Sequence, residues 1–120
     1  MGEQTFSGDR GVLHPLHPAV AYSLILASGK ALKAGTVLKD GASGALPAAD
    51  ADSPAYVLLE DAAARSDPRP ARCVRHGTVV RARLIDASDT DDVTASDELA
   101  AKLPAAGIYP VQDWDETKMV

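Results

Sequence analysis

Aromatic residues make up only 4% of this 120-residue chain, and cysteine occurs once. A lone cysteine cannot close an internal disulfide, so the fold does not depend on oxidation and a reducing compartment is acceptable. Basic residues are also in the minority: 12 Lys and Arg stand against 17 Asp and Glu, for a net charge of −5. Nucleic-acid binders normally carry a basic face, so that class is disfavoured. No apolar run approaches the length of a membrane span. The first residues lack the charged and apolar regions of a signal peptide, and Phe6 stands where a myristoylation motif wants Ser or Thr. These absences point to a chain made in the cytosol, with no nucleic acid and no membrane as partner.

The length fits one domain. Hydrophobic residues reach 46%, but much of this is alanine, which buries little surface. The core should therefore be thin, and self-association is one way to add buried area.

Along the chain, residues 1–18 carry glycines, polar residues and the stretch HPLHP, with no lasting period of 2 or 3.6. His14 and His17 each precede a proline, which pushes them toward extended backbone. This part reads as an extended N-terminal arm. AVAYSLILAS then has strand character, with Val20, Tyr22, Leu24 and Leu26 on one face. Lys30 to Gly35 is expected to turn, Thr36–Lys39 to form a second strand, and Ala45–Leu46 a short run after hairpin glycines. AYVLLE is too short for an independent helix and reads as a buried strand. Residues 61–70 read as loop and are followed by ARCVRH. In TVVRARLI, Val80, Ala82 and Leu84 alternate with Arg81 and Arg83, as in a half-buried strand.

DASDTDDVTASDE reads as an acidic linker that ends in a helix start, where Thr94 or Ser96 can cap and Asp97 and Glu98 favour the N-terminus. The helix is expected over about 96–103. Pro104 should end or kink it, Gly107 should close the turn, and Ile108–Val111 should be a last strand. The expectation is a mostly β (α+β minor) protein: residues 1–18 an arm, 19–112 the β domain, 113–120 a polar tail.

His14-x-x-His17 and Cys73-x-x-His76 raise the question of zinc. On extended backbone, residues three apart point to opposite faces, so neither pair can converge on one ion without a break in the strand. No metal or other cofactor is expected. There is no Gly-x-Ser-x-Gly elbow, no phosphate-loop glycine pattern and no complete calcium loop in the acidic run. Glu60-Asp61 is a carboxylate pair without an accompanying histidine or lysine motif. The six arginines between 65 and 83 alternate faces and suit interface salt bridges better than a nucleic-acid stripe. Nothing in the residues asks for an enzyme, and no catalytic residue is expected.

Four blocks in order, ASGKALKAGTVLKD (27–40), AYVLLEDAAA (55–64), VRHGTVVRARLI (74–85) and ELAAKLPAAGIYPV (98–111), resemble the bacteriophage head decoration proteins. These are the small capsid-cementing proteins similar to that of phage lambda. The resemblance spans about residues 20–112. It implies a small β-barrel or β-tulip-like decoration domain with one short C-terminal helix. It also implies a virion protein on the outer capsid surface, a homotrimer that binds the expanded head and stabilises it. In that family the N-terminal segment grips the major capsid protein, which would make Val12, Leu13, His14, Pro15, Leu16, His17 and Pro18 the capsid-binding arm. The rival from another class is a small β-barrel carrier or ligand-binding domain of the biotinyl or lipoyl type, which Ala34-Gly35-Thr36-Val37 would also fit. Lys33 and Lys39 lack its usual neighbours, and an unmodified intact mass would count against it.

Overall fold

The computed structural model describes residues 12–13, 19–88 and 92–112. HPLHP at 14–18 and the tail at 113–120 lie outside the described residues. The fold is mostly β. Among the described residues eight strands occur, in the order β1 (Val20–Leu26), β2 (Val37–Lys39), β3 (Leu46–Pro47), β4 (Tyr56–Leu58), β5 (Arg69–Val80), β6 (Ile85–Asp86), β7 (Val93–Thr94) and β8 (Ile108–Val111). One short helix, α1 (Asp97–Ala100), lies near the C-terminal end. The main sheet runs β1-β5-β4-β2-β3, all antiparallel, and β8 joins β5 in parallel from Gly77 onward. β5 is the spine, twelve residues long, pairing with β1, β4 and β8 in turn. A parallel bridge between Leu26 and Ala45 draws β1 toward the start of β3, but no continuous ladder joins them and the barrel stays open.

The central strands are buried on both faces, which is why Val37-Leu38 and Val57-Leu58-Leu59 read as unbroken apolar runs. Cross-strand partners sort into two sets. Val37, Val57 and Val74 are register neighbours in one core, with Leu84, Leu99, Leu103 and Ile108 packed over them. Leu58 and Cys73 are neighbours in the other, joined by Leu26, Leu32, Leu38 and Ala87. Successive side chains of a strand alternate faces, so one sheet separates two small cores. Each fully buried Val or Leu contributes roughly 1.5–3 kcal/mol. Alanines 45, 48, 71, 87, 95 and 100 fill the remaining core positions, which keeps both layers thin.

Two residues of the expected arm, Val12 and Leu13, pack against the β domain. Val12 is 1% exposed in the first core, its carbonyl accepts from the Val80 N–H at 2.8 Å, and Leu13 bridges Val79. An apolar side chain with an open sheet position beside it gains more from burial than from extension into water. These two residues therefore belong to the domain.

The strand expected over TVVRARLI stops at Val80. Arg81–Arg83 form a single 3-10 turn, Leu84 enters the core and Ala82 is exposed. The cause is Gly35, at φ +99°, where a Cβ would fall 2.0 Å from the Arg83 carbonyl oxygen. This close approach lets the Ile85 N–H donate to Gly35 O at 2.9 Å, and only glycine permits it. Arg81 turns to cap Ala95 O at 2.7 Å instead of facing water.

Two further expectations change. Within the acidic stretch, Ile85–Asp86 and Val93–Thr94 pair as a hairpin. Pro104 neither ends nor kinks α1: it sits in the first turn of a separate 3-10 element, Leu103–Ala106, where a missing N–H costs nothing. Ser96 is the N-cap, its Oγ accepting from the Leu99 N–H at 3.1 Å, and Gly107 closes the segment at φ +89°. β8 covers Ile108–Val111 as expected. The loop expected over 61–70 ends two residues earlier, because β5 begins at Arg69.

Candidate interaction surface

β1 is the edge strand of the path, held on one side by β5. Its register runs Tyr22 with Cys73, Leu24 with Ala71 and Leu26 with Arg69. Between Val20 and Ala21 the pairing shifts: Ala21 meets Val74 but Val20 meets His76. Arg75 is thus the extra residue of a bulge, a device that bends a strand and re-aims its side chains. Of the four apolar residues expected on one face of β1, Tyr22, Leu24 and Leu26 keep a continuous register and only Val20 lies beyond the shift. Leu26 is buried and Leu24 half-buried, whereas Val20 is 47% and Tyr22 38% exposed.

The bulge gathers polar and aromatic groups around these two. Arg75 donates to the Tyr22 hydroxyl at 2.8 Å. Tyr56 donates to Asp40 Oδ1 at 2.7 Å, and this bond raises the phenol above its ordinary range. Arg75 is held further on the charged side, first by its bond to Tyr22 and then by the fields of Tyr22, Tyr56 and Asp40. On the other side of the bulge the His76 ring meets Tyr109 edge-on at 6.2 Å. Tyr22 thus meets the bulged residue Arg75 itself, and Tyr109 meets its neighbour His76. The strand holding Tyr22 was legible in the sequence, but the bulge that brings Arg75 to it has no local signature.

The residues singled out for other chemistry have structural tasks. Cys73 is fully buried, and burial, reinforced by the charge of Glu60, pushes its thiol up to about 12. A neutral, enclosed thiol is neither a nucleophile nor a metal ligand. His76 is exposed, three residues on and away from that core. Among the described residues no three His, Cys, Asp or Glu side chains converge. Glu60 Oε2 accepts from the Arg72 N–H at 3.0 Å and Asp61 Oδ1 from the Ala34 N–H at 2.9 Å, so each carboxylate secures backbone. Arg65 donates to Lys30 O at 2.9 Å, and Arg81 reaches Asp97 at 3.0 Å as well as Ala95 O. These arginines tie loops together and do not form one stripe. Lys39 pairs with Asp52 at 3.0 Å, while Lys33 is exposed in the turn before β2.

Of the expected capsid-binding arm, Val12 is committed to its own core and Leu13 is half-buried against β5. His14, Pro15, Leu16, His17 and Pro18 lie outside the described residues, directly before β1 in sequence. No protein-family model matches this chain, and no curated protein or solved structure matches it.

Proposed function

We propose that this chain is a phage capsid decoration protein, a homotrimer that binds the major capsid protein on the outer surface of the expanded head and stabilises the shell. The observation that carries the reading is the position of the uncovered surface. β1 presents exposed Val20, Tyr22 and Ile25, and it begins one residue after HPLHP. A binding peptide and an unburied strand adjoin on a small domain whose conspicuous polar groups serve its own backbone. The four sequence blocks that resemble decoration proteins supply the class of partner.

The physical case for a gripping leader is entropic. Ordering a free residue costs roughly 1–2 kcal/mol of backbone entropy, and proline lowers that cost by restricting the unbound chain. An extended segment can add to a sheet edge through main-chain hydrogen bonds. Three such segments on one trimer multiply a modest affinity. The Val12–Leu13 anchor gives the leader a fixed root, with residues 1–11 on one side and HPLHP on the other.

The test is to mix the purified chain with expanded and unexpanded heads of its phage and to locate added density by electron microscopy. Density at the three-fold positions of expanded heads is the expected result; bare heads in excess protein sink the proposal. The leader is tested by deleting residues 2–11, which spares Val12, and separately by replacing His14, Leu16 and His17 with serine. If neither change weakens head binding, the leader does not grip the shell.

A further inference from the structure

We infer that the cavity beside Arg65 is a binding site for a monocarboxylate on a short aliphatic stem, with the Arg65 guanidinium receiving the charge. The inference goes beyond the decoration reading and is independent of it.

The local fold builds a fixed cation here. Gly29 and Arg65 exchange two backbone hydrogen bonds at 2.9 Å, and Leu32 and Ala62 exchange two at 2.8 Å, so residues 29–32 and 62–65 are laced together. Across this pair the Arg65 Nη1 donates to Lys30 O at 2.9 Å and to Ala63 O at 3.4 Å. One edge of the planar fork is thereby occupied and the side chain is held in place. Nη2 makes no hydrogen bond among the described residues, and a Cβ on Gly29 would lie 3.9 Å from it.

This cation has no counter-charge. Among the described residues no ion pair joins Arg65 to a carboxylate. Glu60 and Asp61 line the cavity on its other side, but they accept from the Arg72 and Ala34 N–H groups. Nε is buried without a partner, and burial draws the guanidinium down from its ordinary range. A charge taken partly out of water without an anion is unfavourable, and a bound carboxylate relieves that cost.

The surroundings decide which anion. Gly29 and Arg65 line a cavity of about 360 Å³, with Leu32, Leu46, Pro47 and Ala87 as its apolar wall. Small-molecule sites are typically roughly 300–1,000 Å³, mostly apolar, with a few placed polar groups. Lys30, also on the rim, is already paired with Asp92 at 3.6 Å. The site therefore offers one uncompensated positive charge beside an apolar wall. A carboxylate with an aliphatic stem satisfies both features, since its oxygens accept from an arginine fork. Phosphate would leave the wall uncovered and its own charge under-neutralised. Such a carboxylate is carried by a free organic acid or by a glutamate side chain of the shell protein; the recognising chemistry is the same.

The experiment titrates the full isotope-labelled chain with butyrate at fixed ionic strength and follows the backbone amides by NMR, with phosphate and butanol as comparison probes. Gly29→Asp sets a carboxylate beside Nη2 and leaves Arg65 intact, Gly29→Ala adds only a Cβ at an ordinary contact distance, and Arg65→Gln removes the charge. Cys73 protection from a maleimide checks the fold of each variant. Butyrate is expected to shift the Gly29, Leu32 and Arg65 amides saturably. Gly29→Asp and Arg65→Gln should each weaken this by about tenfold or more, while Gly29→Ala binds as wild type does. Absence of a saturable shift overturns the site, as does a folded Gly29→Asp that binds butyrate like wild type. Phosphate binding as tightly as butyrate also overturns it, since the cavity then holds an adventitious ion only. Head binding, scored in parallel, separates the two sources of the carboxylate. If Gly29→Asp also weakens head binding, the shell protein supplies it; if head binding is unchanged, a free acid does. Wild type that binds butyrate and leaves heads bare supports the site and rejects the decoration reading alone.

Discussion

Tyr22 accepts a 2.8 Å hydrogen bond from Arg75, fifty-three residues further along the chain. The contact exists because β1 pairs antiparallel with β5 and because Arg75 is the bulged residue between Val74 and His76. Two positions before Arg75, Cys73 faces Tyr22 in register and is fully buried. Over a single turn of the pleat the surface passes from solvent to core, and that boundary sets what chemistry each residue can do.

Cys73 gives the first prediction. Its thiol is enclosed and pushed up to about 12 by burial, so it stays protonated at neutral pH. A maleimide should fail to label the native protein and should label it fully in denaturant. Rapid stoichiometric labelling under native conditions would show that the second core is open.

Thr78 is 1% exposed on β5, and its hydroxyl finds no hydrogen-bond partner among the described residues. Desolvating a hydroxyl without a partner is unfavourable, and valine has the same shape without the polar group. Thr78→Val should raise stability by about 1 kcal/mol, read as an increased denaturant midpoint at unchanged slope. A lower midpoint would mean that the hydroxyl is bonded after all.

Gly107 closes the Leu103–Ala106 turn at φ +89°, and a Cβ there would lie 2.6 Å from His76 Nδ1. Gly107→Ala should therefore cost about 1–2 kcal/mol from the left-handed backbone alone. It should also displace His76 from Tyr109, visible as shifted histidine ring resonances in NMR spectra.

Ser96 has two roles: it caps α1 through the Leu99 N–H and donates to Asp50 Oδ1 at 2.6 Å. Lys102 also donates to the Asp50 and Asp52 carbonyls from the far end of the same segment. Ser96→Ala should cost about 1 kcal/mol in a chemical denaturation curve. Wild-type stability would mean that the Lys102 contacts and the Lys39–Asp52 pair hold the 49–54 loop without Ser96.

Asp52 carries a pH dependence. The Ala49 N–H, at 2.7 Å, and then Lys39 hold its carboxyl below the ordinary value of 3.8. A depressed folded pKa stabilises the protein at pH values above the unfolded one, and that contribution fades as pH falls from about 3.8 through the folded value. Asp52→Asn should lower the melting temperature at neutral pH and flatten the acid limb of a melting-temperature profile. Parallel acid limbs in variant and wild type would assign the pH dependence to other carboxylates.

Much of the β pattern was legible because it is local. The runs at Val37-Leu38 and Val57-Leu58, the Ser96 cap, the Gly107 turn and the strand from Ile108 to Val111 all follow from side-chain alternation, capping chemistry and glycine conformation within a few residues. The strand expected over TVVRARLI, residues 78–85, stops early for a non-local reason: Gly35, far away in sequence, has a bare Cα that admits the Arg83 carbonyl beside the Arg81–Arg83 turn. Val12 and Leu13 were placed in the leader because their neighbours are polar and glycine-rich. Only the open sheet position beside Val79 and Val80 draws them in.

By itself the sequence determined composition-level and short-range properties: a mostly β chain without disulfides, thin alanine-rich layers, and the placement of most strands and the helix cap. Tertiary structure decided which apolar residues are core and which are surface. Burial depends on what lies across the sheet: Tyr22 and Leu26 lie on one face of β1 in unbroken register, yet Leu26 is 1% and Tyr22 38% exposed. The bulge opposite that strand brings Arg75 to Tyr22, a contact that no spacing along the chain could announce.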